Sequence, residues 1–141
     1  MKYVLDSAVA LKWVLPEIHA DKAKQLRDDY EHQIHELIAP DVFPVEVSHA
    51  LVRAERKKII PVGQAAALLV DVMNSAPALS SYLLLLSRAT DIASQMRCGV
   101  YDCLYVALAE KEGCELITAD DKLVKNLKRM FPYILELSSL P

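Results

Sequence analysis

The stretch Lys2-Tyr3-Val4-Leu5-Asp6-Ser7-Ala8-Val9-Ala10-Leu11-Lys12-Trp13-Val14-Leu15-Pro16 decides the fold. Tyr3, Val4 and Leu5 form a short apolar run of strand-favouring residues. Ser7 then precedes Ala8 to Leu15, which carry helix-forming residues up to Pro16. The pattern reads as strand, Ser7 as N-cap, then helix, and the same alternation continues outward from it.

Ala20 to Gln33 surrounds a thin apolar stripe of Ala23, Leu26 and Tyr30 with charge, as an exposed amphipathic helix does. Leu37 to Ala39 is a second strand closed by Pro40-Asp41. Phe43 to Lys57 is helical, with Pro44 tolerated in the first turn. Pro61 and Gly63 separate it from a helix over Gln64 to Asn74. Pro77 to Tyr82 reads either way, a short third strand being one option, before a helix over Leu84 to Met96 that Gly99 breaks. Tyr101 to Lys111 begins the next helix, which Gly113 ends. Cys114 to Thr118 is a strand, Asp121 to Met130 a lysine-rich helix, and Tyr133 to Leu137 a last strand. Strands alternating with helices predict an α/β fold whose parallel sheet is covered on both faces.

A chain of 141 residues, 53% apolar and 25% charged, has the size and composition of one folded domain over 1–141. It shows no repeat or low-complexity segment. Its longest aliphatic run, Leu83 to Leu86, falls far short of the roughly 20 residues that cross a bilayer. No targeting segment is visible. Cys98, Cys103 and Cys114 are odd in number and lack a CxxC spacing, so they suggest neither a disulfide framework nor a zinc site. The cytoplasm is the expected compartment. The net charge of -3 argues against a general affinity for nucleic acid.

The informative residues are acids inside apolar runs, because Asp and Glu are rarely buried without a partner. Asp6 closes Tyr3-Val4-Leu5, Glu46 sits within Val42-Phe43-Pro44-Val45-Glu46-Val47, and Asp102 interrupts Val100 to Val106. Asp120 follows Leu116-Ile117-Thr118. Asp6 and Asp120 fall at carboxyl ends of strands, and Glu46 and Asp102 in first turns of helices. In a parallel sheet those positions share the edge where ligands bind. Each also has a plainer reading: Asp6 and Asp120 as turn or N-cap residues, Glu46 as a solvent-facing helix residue, Asp102 as a partnered core residue. Four converging carboxylates would repel unless a cation offset them. An oxygen-only donor set selects a hard ion, Mg2+ or Mn2+, and the chemistry such an ion supports is phosphate hydrolysis.

From end to end the chain resembles the PIN-domain ribonucleases, and within them the VapC-type toxins of bacterial toxin-antitoxin modules. The residues that carry the resemblance are Val4 to Trp13, Pro44-Val45-Glu46-Val47, Val100 to Glu110 and Leu116-Ile117-Thr118-Ala119-Asp120. The resemblance implies a three-layer α/β/α sandwich with a central parallel sheet, a Mg2+ or Mn2+ site and endonucleolytic cleavage of RNA. It carries the acidic core onto Asp6, Glu46 and Asp102, the fourth acid onto Asp120, and the family's hydroxyl residues onto Ser7 and Thr118. Asp6 and Asp102 are then direct ligands, Glu46 a direct or water-mediated one, and Asp120 helps place a second ion or the attacking water. The adjacent acids Asp120 and Asp121 leave an ambiguity that the family's Thr-x-Asp pattern settles for Asp120.

Two basic clusters, Arg53-Arg56-Lys57-Lys58 and Lys122-Lys125-Lys128-Arg129, are candidates for RNA phosphates, although each residue also reads as a solvated helix face. His32 and His35 read as surface residues, His49 as a packed residue near the site, and Trp13, Tyr101 and Tyr105 as core. The aliphatic helices Gln64 to Asn74 and Leu84 to Met96 suit a homodimer and an antitoxin groove. Competing readings are weaker. A haloacid-dehalogenase-like phosphatase needs an acid where Ala8 stands, and a receiver domain needs adjacent acids near its N-terminus. A non-catalytic binding module leaves four carboxylates without a reason, and an RNA-processing nuclease without a toxin role differs only in context.

Overall fold

The computed structural model describes all residues, 1–141. Five strands, β1 (Lys2–Leu5), β2 (Glu36–Pro40), β3 (Ala78–Ser80), β4 (Glu115–Thr118) and β5 (Ile134–Glu136), form one sheet in the order β3-β2-β1-β4-β5, with every neighbouring pair parallel. The central strands are buried almost throughout, as double coverage requires: Val4, Leu5, Leu37 to Pro40 and Leu116 to Thr118 all lie inside. The ambiguous segment Pro77 to Tyr82 supplies β3, an edge strand on β2. The chain steps outward from β1 through β2 to β3, then returns to the other side of β1 with β4. The strand order therefore reverses between β1 and β4, and at the carboxyl edge a crevice opens at such a point.

Seven helices cover the sheet: α1 (Ser7–Leu11), α2 (Ala20–Glu31), α3 (Phe43–Arg56), α4 (Gln64–Met73), α5 (Leu86–Met96), α6 (Val100–Glu112) and α7 (Asp121–Leu127). The architecture is the expected α/β/α sandwich. Helix α6 is its spine, with Cys103 to Ala109 buried without interruption against β1, β2, β4 and α5. That accounts for its apolar sequence on nearly every side. No helix is long and apolar enough to cross a membrane.

The sequence reading needs correction mainly at helix ends. Asp6, not Ser7, is the N-cap of α1, and Ser7 is its first helical residue. The helix stops at Leu11 because tertiary contacts override local propensity: the buried Trp13 turns inward and its Nε1 donates to the Ala23 carbonyl at 2.9 Å. Gly99 does not break α5. Arg97 does so, in the left-handed region at φ 53°, and Gly99 is the extended N-cap of α6. Tyr82–Leu84 form a 3-10 turn ahead of α5, and α7 ends at Leu127 so that Phe131 can turn into the core.

Candidate active site

Asp6 leaves β1 at the carboxyl edge, and its backbone N–H donates to the Ile117 carbonyl at 3.1 Å, one step beyond the Leu5 to Ile117 register. This continuation of the ladder sets Asp6 beside Thr118 of β4. The Thr118 hydroxyl donates to Asp6 Oδ2 at 2.6 Å and accepts from the Asp120 backbone N–H at 3.0 Å. One buried hydroxyl thus ties the first acid to the turn that carries the fourth.

Asp120 caps α7, its Oδ1 accepting from Lys122 N–H at 2.9 Å and from Leu123 N–H at 3.4 Å, while Oδ2 makes no hydrogen bond. The plainer reading of Asp120 as an N-cap is therefore correct, and it leaves one oxygen free. Glu46 lies in the first turn of α3, where its Oε1 accepts from the Tyr105 hydroxyl of α6 at 2.7 Å. Asp102 lies in the first turn of α6, where the helix dipole favours a negative charge.

Asp6, Ser7, Glu46, Asp102 and Asp120 line a single cleft of about 630 Å³. All four predicted acids meet there, from two strand ends and two helix starts. Thr118 sits beneath, reaching the cleft through Asp6. Asp121 is exposed and faces a separate depression with Lys12 and Glu136, so the structure separates the two adjacent acids.

The electrostatics of the cleft follow from burial and like charge. Asp6, only 5% exposed, has its carboxyl pushed up to about 7, first by desolvation and then by the charges of Asp102, Glu46 and Asp120; the Thr118 hydrogen bond opposes this. Asp102 is pushed up to about 6 by burial and by Asp120. Burial and Asp102 raise Glu46, while the hydroxyls of Tyr105 and Ser7 hold it down. Tyr105 is raised in turn by burial and by the charges of Asp6 and Glu46.

Arg53 is the one Lys or Arg side chain among the residues that line the cleft. Four oxygen-bearing acids that lift one another's pKa values are a donor set suited to a hard divalent cation. As the side chains stand, no three acidic, histidine or cysteine groups are arranged to hold an ion.

Other residues move relative to the sequence reading. Tyr101 is not core: it is exposed and lines the cleft, as does His49. Tyr105 is core, but its role as the partner of Glu46 was missed; the available signal was its position three residues after Asp102, on the same side of the helix. From the first basic cluster only Arg53 lines the cleft, and from the second none does. Lys128 instead donates to the Ile134 carbonyl. His32 is exposed, as a surface residue should be, whereas His35 is partly buried and pairs with Asp29 at 3.3 Å.

The sequence profile of the PIN domain family matches residues 3–128. The chain belongs to the PIN-domain family. It is 31% identical over 127 residues to Ribonuclease VapC3 of Pyrobaculum aerophilum, an alignment that covers 89% of this chain and 94% of the relative. Among solved structures, PAE2754 of Pyrobaculum aerophilum shares the fold with a TM-score of 0.69 at 20% identity, covering 99% of this PIN domain and 94% of its own chain. VapBC2 of Rickettsia felis, solved bound to a DNA fragment from its promoter, shares it with a TM-score of 0.66 at 16% identity, covering 96% and 97%. The structural likeness extends through β5, beyond the end of the profile match.

Proposed function

We propose that this PIN domain, a single domain over 1–141, is a Mg2+- or Mn2+-dependent endoribonuclease that hydrolyses RNA phosphodiester bonds as the cytoplasmic toxin of a toxin-antitoxin module. The observation that carries the reading is the cleft, where four carboxylates face one guanidinium in a relative of Ribonuclease VapC3. Asp6 and Asp102 would hold the ion directly, Glu46 directly or through water, and Asp120 through the oxygen that its helix cap leaves free. When bound, the ion supplies a Lewis acid for the phosphodiester and positive charge that eases deprotonation of the attacking water.

The remaining work belongs to the chain. Thr118 fixes Asp6 against the Asp120 turn, and Tyr105 fixes Glu46, so the acids keep their orientation as charge builds up between them. Arg53 offers RNA phosphates a guanidinium that no ion pair occupies, which answers the objection from net charge: the RNA would be held through the ion, with basic residues needed only along the approach. The exposed apolar surface around Leu83 and Leu84 is the face we assign to a second copy, and a cognate antitoxin is the other expected partner.

The decisive experiment is cleavage of structured RNA by purified protein in Mg2+ or Mn2+, with Asp6→Asn and Asp102→Asn folded but inactive. Cleavage undiminished in EDTA, or in both variants, would sink the mechanism. A small upstream reading frame encoding a DNA-binding antitoxin separates the toxin from an RNA-processing nuclease.

A further inference from the structure

Cys98 and Cys103 carry free thiols whose Sγ atoms stand 3.4 Å apart. The start of α6 brings them together. Gly99 is the N-cap, at φ -72° and ψ 142°, so Cys98 occupies the position before the cap and Cys103 the fourth helical position. Side chains at those two positions meet at a helix start and commonly form an apolar pair that fixes the angle of the incoming chain. Here the pair is two sulfurs. An S–S bond is about 2.05 Å long, so bonding requires an approach of roughly 1.4 Å.

The geometry points to Cys98 and Cys103 as a redox modification site, in which a peroxide converts the thiol pair into a disulfide that clamps the first turn of α6 and weakens the cation site at Asp102. The thiol site stands on the geometry alone; the effect on the cation rests on the function proposed above.

Cys103 is fully buried and Cys98 half-buried, so the peroxide meets Cys98 first. The Cys98 sulfur takes one oxygen as the O–O bond breaks, giving a sulfenic acid and one water. The Cys103 sulfur then attacks the Cys98 sulfur, the S–S bond forms, and the hydroxyl leaves as a second water. The two thiols lose two electrons and two protons, and the peroxide is reduced to water; an external thiol reverses the bridge by exchange. Such reversible bridges are the form that disulfides usually take in a reducing compartment.

The closure has little room to fall elsewhere. Cys103 is fixed in the core, and its N–H donates to the Gly99 carbonyl at 3.3 Å. On the other side, Arg97 is set in the left-handed region. The shift is absorbed by Gly99 to Asp102, the four residues that present Tyr101 and Asp102 to the cleft.

The test treats the full chain with hydrogen peroxide without denaturant, alkylates it and maps its peptides by mass. The expected result is a loss of about 2 Da across Cys98 and Cys103, with Cys114 alkylated as internal control, reversal by dithiothreitol, and no bridge in Cys98→Ser. Calorimetric titration with Mn2+ should show binding roughly ten-fold weaker after oxidation, the low end for disturbing the surroundings of a metal ligand, and no change in peroxide-treated Cys98→Ser. A sulfinic acid on Cys98 beside a free Cys103, or a bridge between two chains, would overturn the site. A bridge that leaves Mn2+ affinity unchanged would overturn the coupling. Absence of Mn2+ binding in the reduced protein would overturn the cation reading and the coupling with it, while the peptide masses still decide the thiol site.

Discussion

Thr118 donates its hydroxyl to Asp6 Oδ2 at 2.6 Å, joining residues 112 apart in sequence across the seam between β1 and β4. The bond sits where the strand order reverses, and it opposes the burial and like charge that push the Asp6 carboxyl up. A hydrogen bond to a charged group is worth about 1.5–3 kcal/mol. Thr118→Val keeps the shape of the side chain and removes the donor, so the Asp6 pKa should climb beyond its present value. Mn2+ affinity and RNA cleavage should fall roughly 10- to 100-fold, with Thr118→Ser close to wild type. Parallel Mn2+ titration and cleavage kinetics check this, and a fully active valine variant would remove Thr118 from the site.

The pH dependence of the metal-free protein has a definite sign. Asp6 has an unfolded-state value near 3.8 and a folded value of about 7, so between these limits the folded chain binds more protons than the unfolded one. The stability that protonated Asp6 contributes is therefore fully present below the lower value and is lost as pH rises through 7; Asp102, at about 6, adds in the same direction. In EDTA the melting temperature should fall between pH 5 and 8, by a free energy of roughly 2–4 kcal/mol from Asp6. Asp6→Asn should flatten most of that slope and raise stability at pH 8. A melting temperature that rises over this window would contradict the assigned burial of charge.

Tyr105 shows how a core residue can serve the cleft. It is 1% exposed, and its hydroxyl donates to Glu46 at 2.7 Å. Tyr105→Phe leaves packing intact and lets Glu46 rotate and take up a proton more readily. Cleavage should drop roughly ten-fold while the melting temperature changes little, and the lower limb of the pH–rate profile should move to higher pH. An unmoved profile would mean that the hydroxyl only satisfies the core.

The alternation of strands and helices was legible because both periodicities are strong, and the acids were legible because each interrupts an apolar run. What escaped was set by contacts between distant segments. Nothing local in Ala8 to Leu15 says that Trp13 will leave the helix to reach the Ala23 carbonyl, so the length of α1 was overestimated. Tyr101 and Tyr105 look alike in an apolar helix, yet one turn, about 6 Å along the axis, places one at the exposed end in the cleft and the other in the core under Glu46. The Cys98–Cys103 pair matches no familiar spacing and becomes visible only once Gly99 is known to cap α6 rather than to end α5.

Part of the surplus aliphatic surface expected on two helices lies in the 3-10 turn ahead of α5. Of the four consecutive leucines only Leu85 is buried, at 2% exposure, while Leu83 and Leu84 stand 65% and 73% exposed beside Tyr82. The core gives no reason for these side chains. Fully burying a leucine is worth about 1.5–3 kcal/mol, and a two-fold interface counts each contact twice. Leu83→Glu/Leu84→Glu should therefore convert the proposed dimer into a folded monomer, read by light scattering on a sizing column, with circular dichroism unchanged. Wild-type protein that is monomeric at tens of micromolar would overturn the proposed dimer, and a double variant that keeps the dimer mass would move its interface elsewhere.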